Sequence, residues 1–126
     1  MKKFSMDVFF SKDGPLSKVI SGYQIRPSQV AMSNLVDETI LNQNSLVVEA
    51  GTGIGKTFAY LAPAMMKGET IIISTATKNL QDQLYNKDIP KIREALNIPI
   101  KVDLLKGRSN YVLSLIHISE PTRQFR

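Results

Sequence analysis

Apolar residues recur along this chain in two rhythms, and the switches between them mark its elements. Three short, β-branched runs predict buried strands: Leu46-Val47-Val48, Thr70-Ile71-Ile72-Ile73-Ser74, and Ile100 to Leu105. Between them the spacing is helical. Pro27 sits where a first-turn proline belongs, and Val30, Ala31, Leu35, Ile40 and Leu41 continue a helix to about Asn42. Phe58-Ala59-Tyr60-Leu61-Ala62 opens another helix, with Tyr60, Met65 and Met66 predicted as its core packing. Thr77 is placed to cap a helix carrying Leu80 and Leu84 on one face, and Asp88-Ile89-Pro90 to cap a further one reaching about Leu96. Polar or turn-forming breaks at Asn42 to Ser45, Lys67-Gly68-Glu69 and Asn97-Ile98-Pro99 separate these elements. Residues 1–14 predict an irregular leader with one apolar anchor, Val8-Phe9-Phe10, and Leu16 to Ile20 a single short helical turn. Strands alternating with helices predict an α/β fold, a parallel sheet with helices on both faces. Three strands leave that sheet incomplete.

The first predicted strand runs into Glu49-Ala50-Gly51-Thr52-Gly53-Ile54-Gly55-Lys56-Thr57, a glycine-rich turn that ends in Gly-Lys-Thr and opens a helix. This is the layout of a phosphate-binding loop. Glycines let the backbone approach an anion closely, and successive N–H groups form a concave nest for it. The helix that follows points its positive end into the same space. Lys56 would reach the β- and γ-phosphates of ATP, and the Thr57 hydroxyl would ligate Mg²⁺. The usual pattern begins with glycine, where this chain has Ala50. A loop with glycines for geometry alone would leave the Lys-Thr pair unexplained.

Composition narrows the setting. At 126 residues the chain is at most one small domain, and 43% hydrophobic content allows an ordinary core. No apolar run approaches the length of a membrane span. The basic start Met1-Lys2-Lys3-Phe4 is followed by Asp7 and Ser11-Lys12-Asp13-Gly14, which interrupt any signal-peptide core, so a cytoplasmic protein is expected. With no cysteine, the chain holds neither disulfides nor thiolate metal sites. The net charge of +5, from 16 Lys and Arg against 11 Asp and Glu, permits nucleic acid as a partner without demanding it, because the positive charges are spread.

Several ordered pieces between residues 8 and 112 resemble the N-terminal end of bacterial DinG/YoaA-type DNA helicases, superfamily 2 relatives of the iron–sulfur XPD helicases. Gly22-Tyr23-Gln24-Ile25-Arg26-Pro27-Ser28-Gln29 resembles their Arg-x-x-Gln element. Val48 to Thr57 resembles helicase motif I, where alanine at the first position is normal. Ile73-Ser74-Thr75-Ala76-Thr77-Lys78-Asn79-Leu80-Gln81-Asp82-Gln83-Leu84 resembles motif Ia, and Leu104 to Tyr111 the run leading to the first cluster cysteine. The resemblance implies a RecA-like lobe, of which residues 1–112 are an incomplete part. It implies ATP and Mg²⁺ as cofactors, bound by Ala50, Gly51, Thr52, Gly53, Ile54, Gly55, Lys56 and Thr57. Gln29 would read the adenine edge, Arg26 would fix that arrangement, and Tyr23 would pack on the base; a capped helix with a surface Gln is the plainer alternative. Thr75, Thr77, Lys78 and Gln81 would contact the backbone of single-stranded or forked DNA. For them, N-capping by Thr77 beside a solvated glutamine face accounts for the same residues equally well. Lys106-Gly107-Arg108 would be a further phosphate contact or simply a basic turn. Glu49 is not the catalytic base, since the family's water-activating carboxylate belongs to a later Asp-Glu-Ala-His motif. The implied activity of the parent protein is ATP-driven movement on DNA, 5′ to 3′, in DNA repair.

In that family a cysteine, the first of four ligands to a [4Fe–4S] cluster, follows the Asn-Tyr pair closely. Here Val112 is followed by Leu113, and Leu113 to Arg123 resemble the in-frame translation of a transposase-type sequencing adapter at all eleven positions. Residues 113–126, with the sole histidine His117, are therefore expected to be a non-native tail. Two other functions compete with the DNA helicase: an RNA helicase or translocase of the same superfamily, and a non-catalytic nucleotide-binding stub.

Overall fold

The chain is seen in a computed structural model that describes residues 5–53 and 55–107. Expectations placed on Ile54, on Arg108 to Val112 and on the tail 113–126 lie outside the described residues.

Near the start, the Ser5 side chain accepts a hydrogen bond from the Val8 amide (3.2 Å) and caps α1, Met6–Phe9. This corrects the expected leader. Met6 is 1% exposed and Phe9 and Phe10 are wholly buried, their rings edge to face with centroids 5.1 Å apart. Met6, Phe9 and Phe10 stand at i, i+3 and i+4, one helical face in a turn too short to register as a period. Val8, expected with them, points outward at 49% exposure. A β-carbon at Gly14 would collide with the Val8 carbonyl, so glycine is required where the chain folds back on α1. A 3₁₀ turn at Leu16–Lys18 follows and buries Leu16.

The second helix, α2, spans Pro27–Leu41, as its proline predicts. It packs on α3, Lys56–Lys67, through a small polar strip, Gln29 and Ser33. The expected apolar stripe of α2 is not its buried side, because Leu35 and Leu41 stay exposed. The third helix carries the core, burying Ala59, Leu61, Ala62, Pro63, Met65 and Met66, and Gly68 ends it in the left-handed conformation (φ 78°). Tyr60 packs partly buried against the same cluster.

Thr77 caps α4, Lys78–Gln83, by accepting from the Leu80 amide at 3.2 Å. Leu84 is buried while Leu80, one turn earlier on the same face, is 38% exposed, so only the C-terminal end of that face reaches the core. The expected break at Asp88 is absent. A π turn at Leu84–Asp88 joins α4 to α5, Ile89–Leu96, and Asp88 itself is helical with no side-chain cap. Ile89, Ile92 and Leu96 complete the core begun by Phe9, Phe10, Leu16 and Leu61.

No β-strand occurs among the described residues, so the predicted parallel sheet is not formed there. Val47 is 97% and Ile72 is 91% exposed. A parallel strand takes its hydrogen bonds from flanking strands and its cover from helices on both faces. Helices α3 and α5 are in place, but no strand pairs with these segments. An open groove lined by Met65, Ile71, Leu96, Ile98 and Ile100 runs where the sheet would lie.

Candidate functional site

Gly53 (φ 84°) and Gly55 (φ 80°) give the turn before α3 its shape, each in the left-handed region where a side chain is strained. Gly55 is also the N-cap of α3. Nothing stands within 4 Å of where a β-carbon would be at Gly51 or Gly53, so the space over the loop is open to an anion. Lys56 is exposed, and its ammonium donates to the Ala50 carbonyl across the loop at 3.1 Å. An open, glycine-lined concavity beside a lysine and a helix N-terminus fits a polyphosphate.

The first turn of α2 closes on the loop from outside. Arg26 donates from Nη1 to the Gly53 carbonyl at 2.7 Å, and Gln29 from Nε2 to the Gly55 carbonyl at 3.0 Å. Gln29 is only 4% exposed, so the alternative of a surface Gln does not hold. Its amide nitrogen is committed to the loop backbone. Tyr23, expected against a base, donates its hydroxyl to the Phe10 carbonyl at 2.6 Å and ties this turn to the N-terminal layer. Burial pushes the Tyr23 pKa up, and the Arg26 charge opposes that shift.

Thr57 is the second residue of α3 and half-buried, with Tyr60 one turn along. Burial raises the Tyr60 pKa, the Thr57 hydrogen bond pulls it down, and the negative charge of Asp88 raises it again. Asp88 is itself shifted upward by burial, against the Gln83 amide (3.3 Å) and the Lys87 charge. As the sequence predicts, Tyr60 packs on the core. No group of three or more His, Asp or Glu able to hold a metal occurs among the described residues.

The four residues expected on DNA stand together at the start of α4. The Thr75 hydroxyl donates to the Thr77 carbonyl (3.4 Å), and Thr77 is the cap. Gln81 donates to the Leu105 carbonyl (2.8 Å), while Lys106 pairs with Asp82 (3.4 Å), so the segment before Gly107 is held on α4. Lys78 is exposed. Here capping accounts for Thr77, and Gln81 serves as a brace. No helix among the described residues is long and apolar enough to cross a membrane.

Comparison with known proteins gives this arrangement a family. Residues 31–118 match the DEAD/DEAH box helicase family, which implies a RecA-like fold. The chain is 56% identical over 103 residues to the ATP-dependent DNA helicase YoaA of Haemophilus influenzae, covering 82% of this chain and 16% of that protein. It is 52% identical over 103 residues to YoaA of Escherichia coli, with the same coverage of 82% and 16%. The 3′-5′ exonuclease DinG of Staphylococcus saprophyticus is 39% identical over 95 residues, 72% of this chain and 11% of that protein. The chain thus spans 16% or less of the length of these curated relatives. No solved structure gives a significant match.

Proposed function

Because the chain belongs to the DEAD/DEAH box helicase family, we propose that residues 1–112 are the first part of the ATP-binding lobe of a DinG/YoaA-type DNA helicase. The observation that carries this is the glycine turn before α3, open at Gly51 and Gly53, with Lys56 exposed beside it. MgATP binds there. Backbone N–H groups of the loop and the α3 N-terminus receive the phosphates, and Lys56 stabilises the charge that develops on the transferred phosphoryl group. The Thr57 hydroxyl would hold Mg²⁺, which would supply neutralisation of the phosphate charge.

The segments at Leu46 to Val48, Thr70 to Ser74 and Ile100 to Leu105 become strands once the rest of the lobe supplies their neighbours. Their exposed apolar side chains support this. Single-stranded or forked DNA is the partner, met in part by the exposed Lys78, and the whole protein moves along it in the cytoplasm. The family resemblance suggests a [4Fe–4S] cluster in the longer protein; this chain has no cysteine to hold one. Residues 113–126 are a tail of adapter origin. The 126-residue chain does not hydrolyse ATP, since the acidic motif and the second-lobe arginine implied by the family are outside it.

The test is to sequence the gene through codon 112, express the full reading frame and measure ATP hydrolysis with and without single-stranded DNA. Stimulation by DNA that Lys56→Ala abolishes is expected. Stimulation by RNA alone, or a genomic frame that ends at Arg126, would sink the proposal.

A further inference from the structure

Between Gly68, which ends α3, and Thr77, which caps α4, the chain lays Thr70-Ile71-Ile72-Ile73-Ser74 along the surface. Each of these residues is exposed, Ile72 almost completely. Among the described residues, none of their amides or carbonyls enters a backbone hydrogen bond. The run has no charge and no proline, and its centre is three isoleucines, so it has both the composition of a strand and the open edge of one. One side of it is already seated. Ile71 lines the groove with Met65, Leu96, Ile98 and Ile100, and Ile71 and Ile73 are each less than half as exposed as Ile72 between them. That alternation is the two-sided register of a strand with one face on helices.

The charges around the run decide what its edge accepts. Glu69 borders it, and Lys67 and Lys78 stand outside it at either end. Parallel, in-register pairing of two copies sets Glu69 against Glu69, and like charges directly opposed destabilise a pair. Antiparallel pairing centred on Ile72 instead sets Glu69 opposite Thr75, Thr70 opposite Ser74 and Ile71 opposite Ile73, with no charge facing its like. It also brings Glu69 to the end where Lys78 of the second copy stands. The segment is thus complementary to itself about a two-fold axis at Ile72. An isolated two-stranded ribbon is marginal in water, but here Ile71 and Ile73 of both copies share the face that rests on helices.

We propose that this chain docks a second copy of itself, residues 70–74 of one copy pairing antiparallel with residues 70–74 of the other about Ile72. The interface does not use the phosphate loop, and in the longer protein the rest of the lobe competes for the same edge.

Sedimentation velocity of the 126-residue chain tests this from about 10 µM to 1 mM, because so short a contact falls below the standard interface size and binds weakly. Below that range the chain is the monomer in which Ile72 faces solvent. A concentration-dependent shift toward two copies is expected. Ile72→Lys and Ile72→Glu each remove the central apolar contact and oppose like charges across the axis, so each should weaken association by about tenfold or more. Neither should change the helical circular dichroism, since the side chain at this position is solvent-facing in the monomer. An equimolar mixture of the two should associate again, because the opposed charges are then unlike. The chain has no cysteine, so single-cysteine variants report the register. Ile72→Cys should cross-link to itself on mild oxidation, and Thr70→Cys only when mixed with Ser74→Cys. A chain that stays a single copy at about 1 mM, association that Ile72→Lys leaves unchanged, or a mass that grows past two copies would each overturn the proposal. If Ile72→Lys does not fold, the cross-links decide: Thr70→Cys linking to itself as readily as to Ser74→Cys refutes the antiparallel pair.

Discussion

Replacing Ile72 and Ile92 by alanine, one at a time, separates this chain from a finished α/β lobe. Full burial of an isoleucine side chain stabilises a fold by about 1.5–3 kcal/mol. Ile72 remains 91% exposed, so its share is about a tenth of that, roughly 0.2 kcal/mol. Ile92 is wholly buried among the core helices, and Ile→Ala there costs about 2–5 kcal/mol once the cavity is included. Domains of this size are stable by only about 5–15 kcal/mol, so Ile92→Ala removes a large fraction and lowers the melting temperature by on the order of 10 °C or more. Ile72→Ala should leave it within about 2 °C. The chain has no tryptophan, so urea and thermal unfolding are followed by far-ultraviolet circular dichroism, which its helices dominate. If Ile72→Ala costs about as much as Ile92→Ala, residues 70–74 are packed in a sheet and Ile72 does not face solvent.

Two smaller perturbations test local features. Thr77→Ala removes the hydroxyl that caps α4 and should cost about 1 kcal/mol in urea unfolding, whereas Thr77→Ser should cost far less; equal losses would mean the cap is not the source. Asp88 has its carboxyl pushed above the usual range, mainly by burial, so the folded chain holds that proton more tightly than the unfolded one. Its stabilising share is therefore complete below the ordinary carboxylate value of 3.8 and is lost as pH rises through the raised folded pKa. The melting temperature of Asp88→Asn minus that of the parent chain should climb from about pH 4 toward neutrality, and a flat difference would contradict the shift.

Much of the site was legible because its signals are local. Pro27 announced the start of α2, Thr77 was found as a cap, and the glycines before Lys56 marked the loop. What escaped was set by contacts distant in sequence. The amide of Gln29 finds its partner 26 residues away, and nothing near Gln29 tells a buried glutamine from a surface one. Residues 46–48 and 70–74 carry a strand's composition, which records how a finished sheet would cover them, whereas pairing depends on partners the pattern does not contain. Phe9 and Phe10 were legible as an apolar anchor, whereas Met6 and the helical turn were missed because four helical residues are too few to show a period.

The π turn at Leu84–Asp88 has a consequence for how α4 and α5 evolve together. A π turn amounts to one extra residue spliced into an α-helix. Each helical residue advances the side-chain direction by about 100°, so the splice offsets the two halves by roughly that angle. Before it, Gln81 and Asp82 reach out to Leu105 and Lys106; after it, Ile89, Ile92 and Leu96 face the core. Deleting a single codon there would leave every remaining side chain chemically intact and the helix unbroken. It would nonetheless swing one half out of phase, so that the brace or the apolar stripe faces the wrong way. Within this turn, length is under tighter constraint than composition.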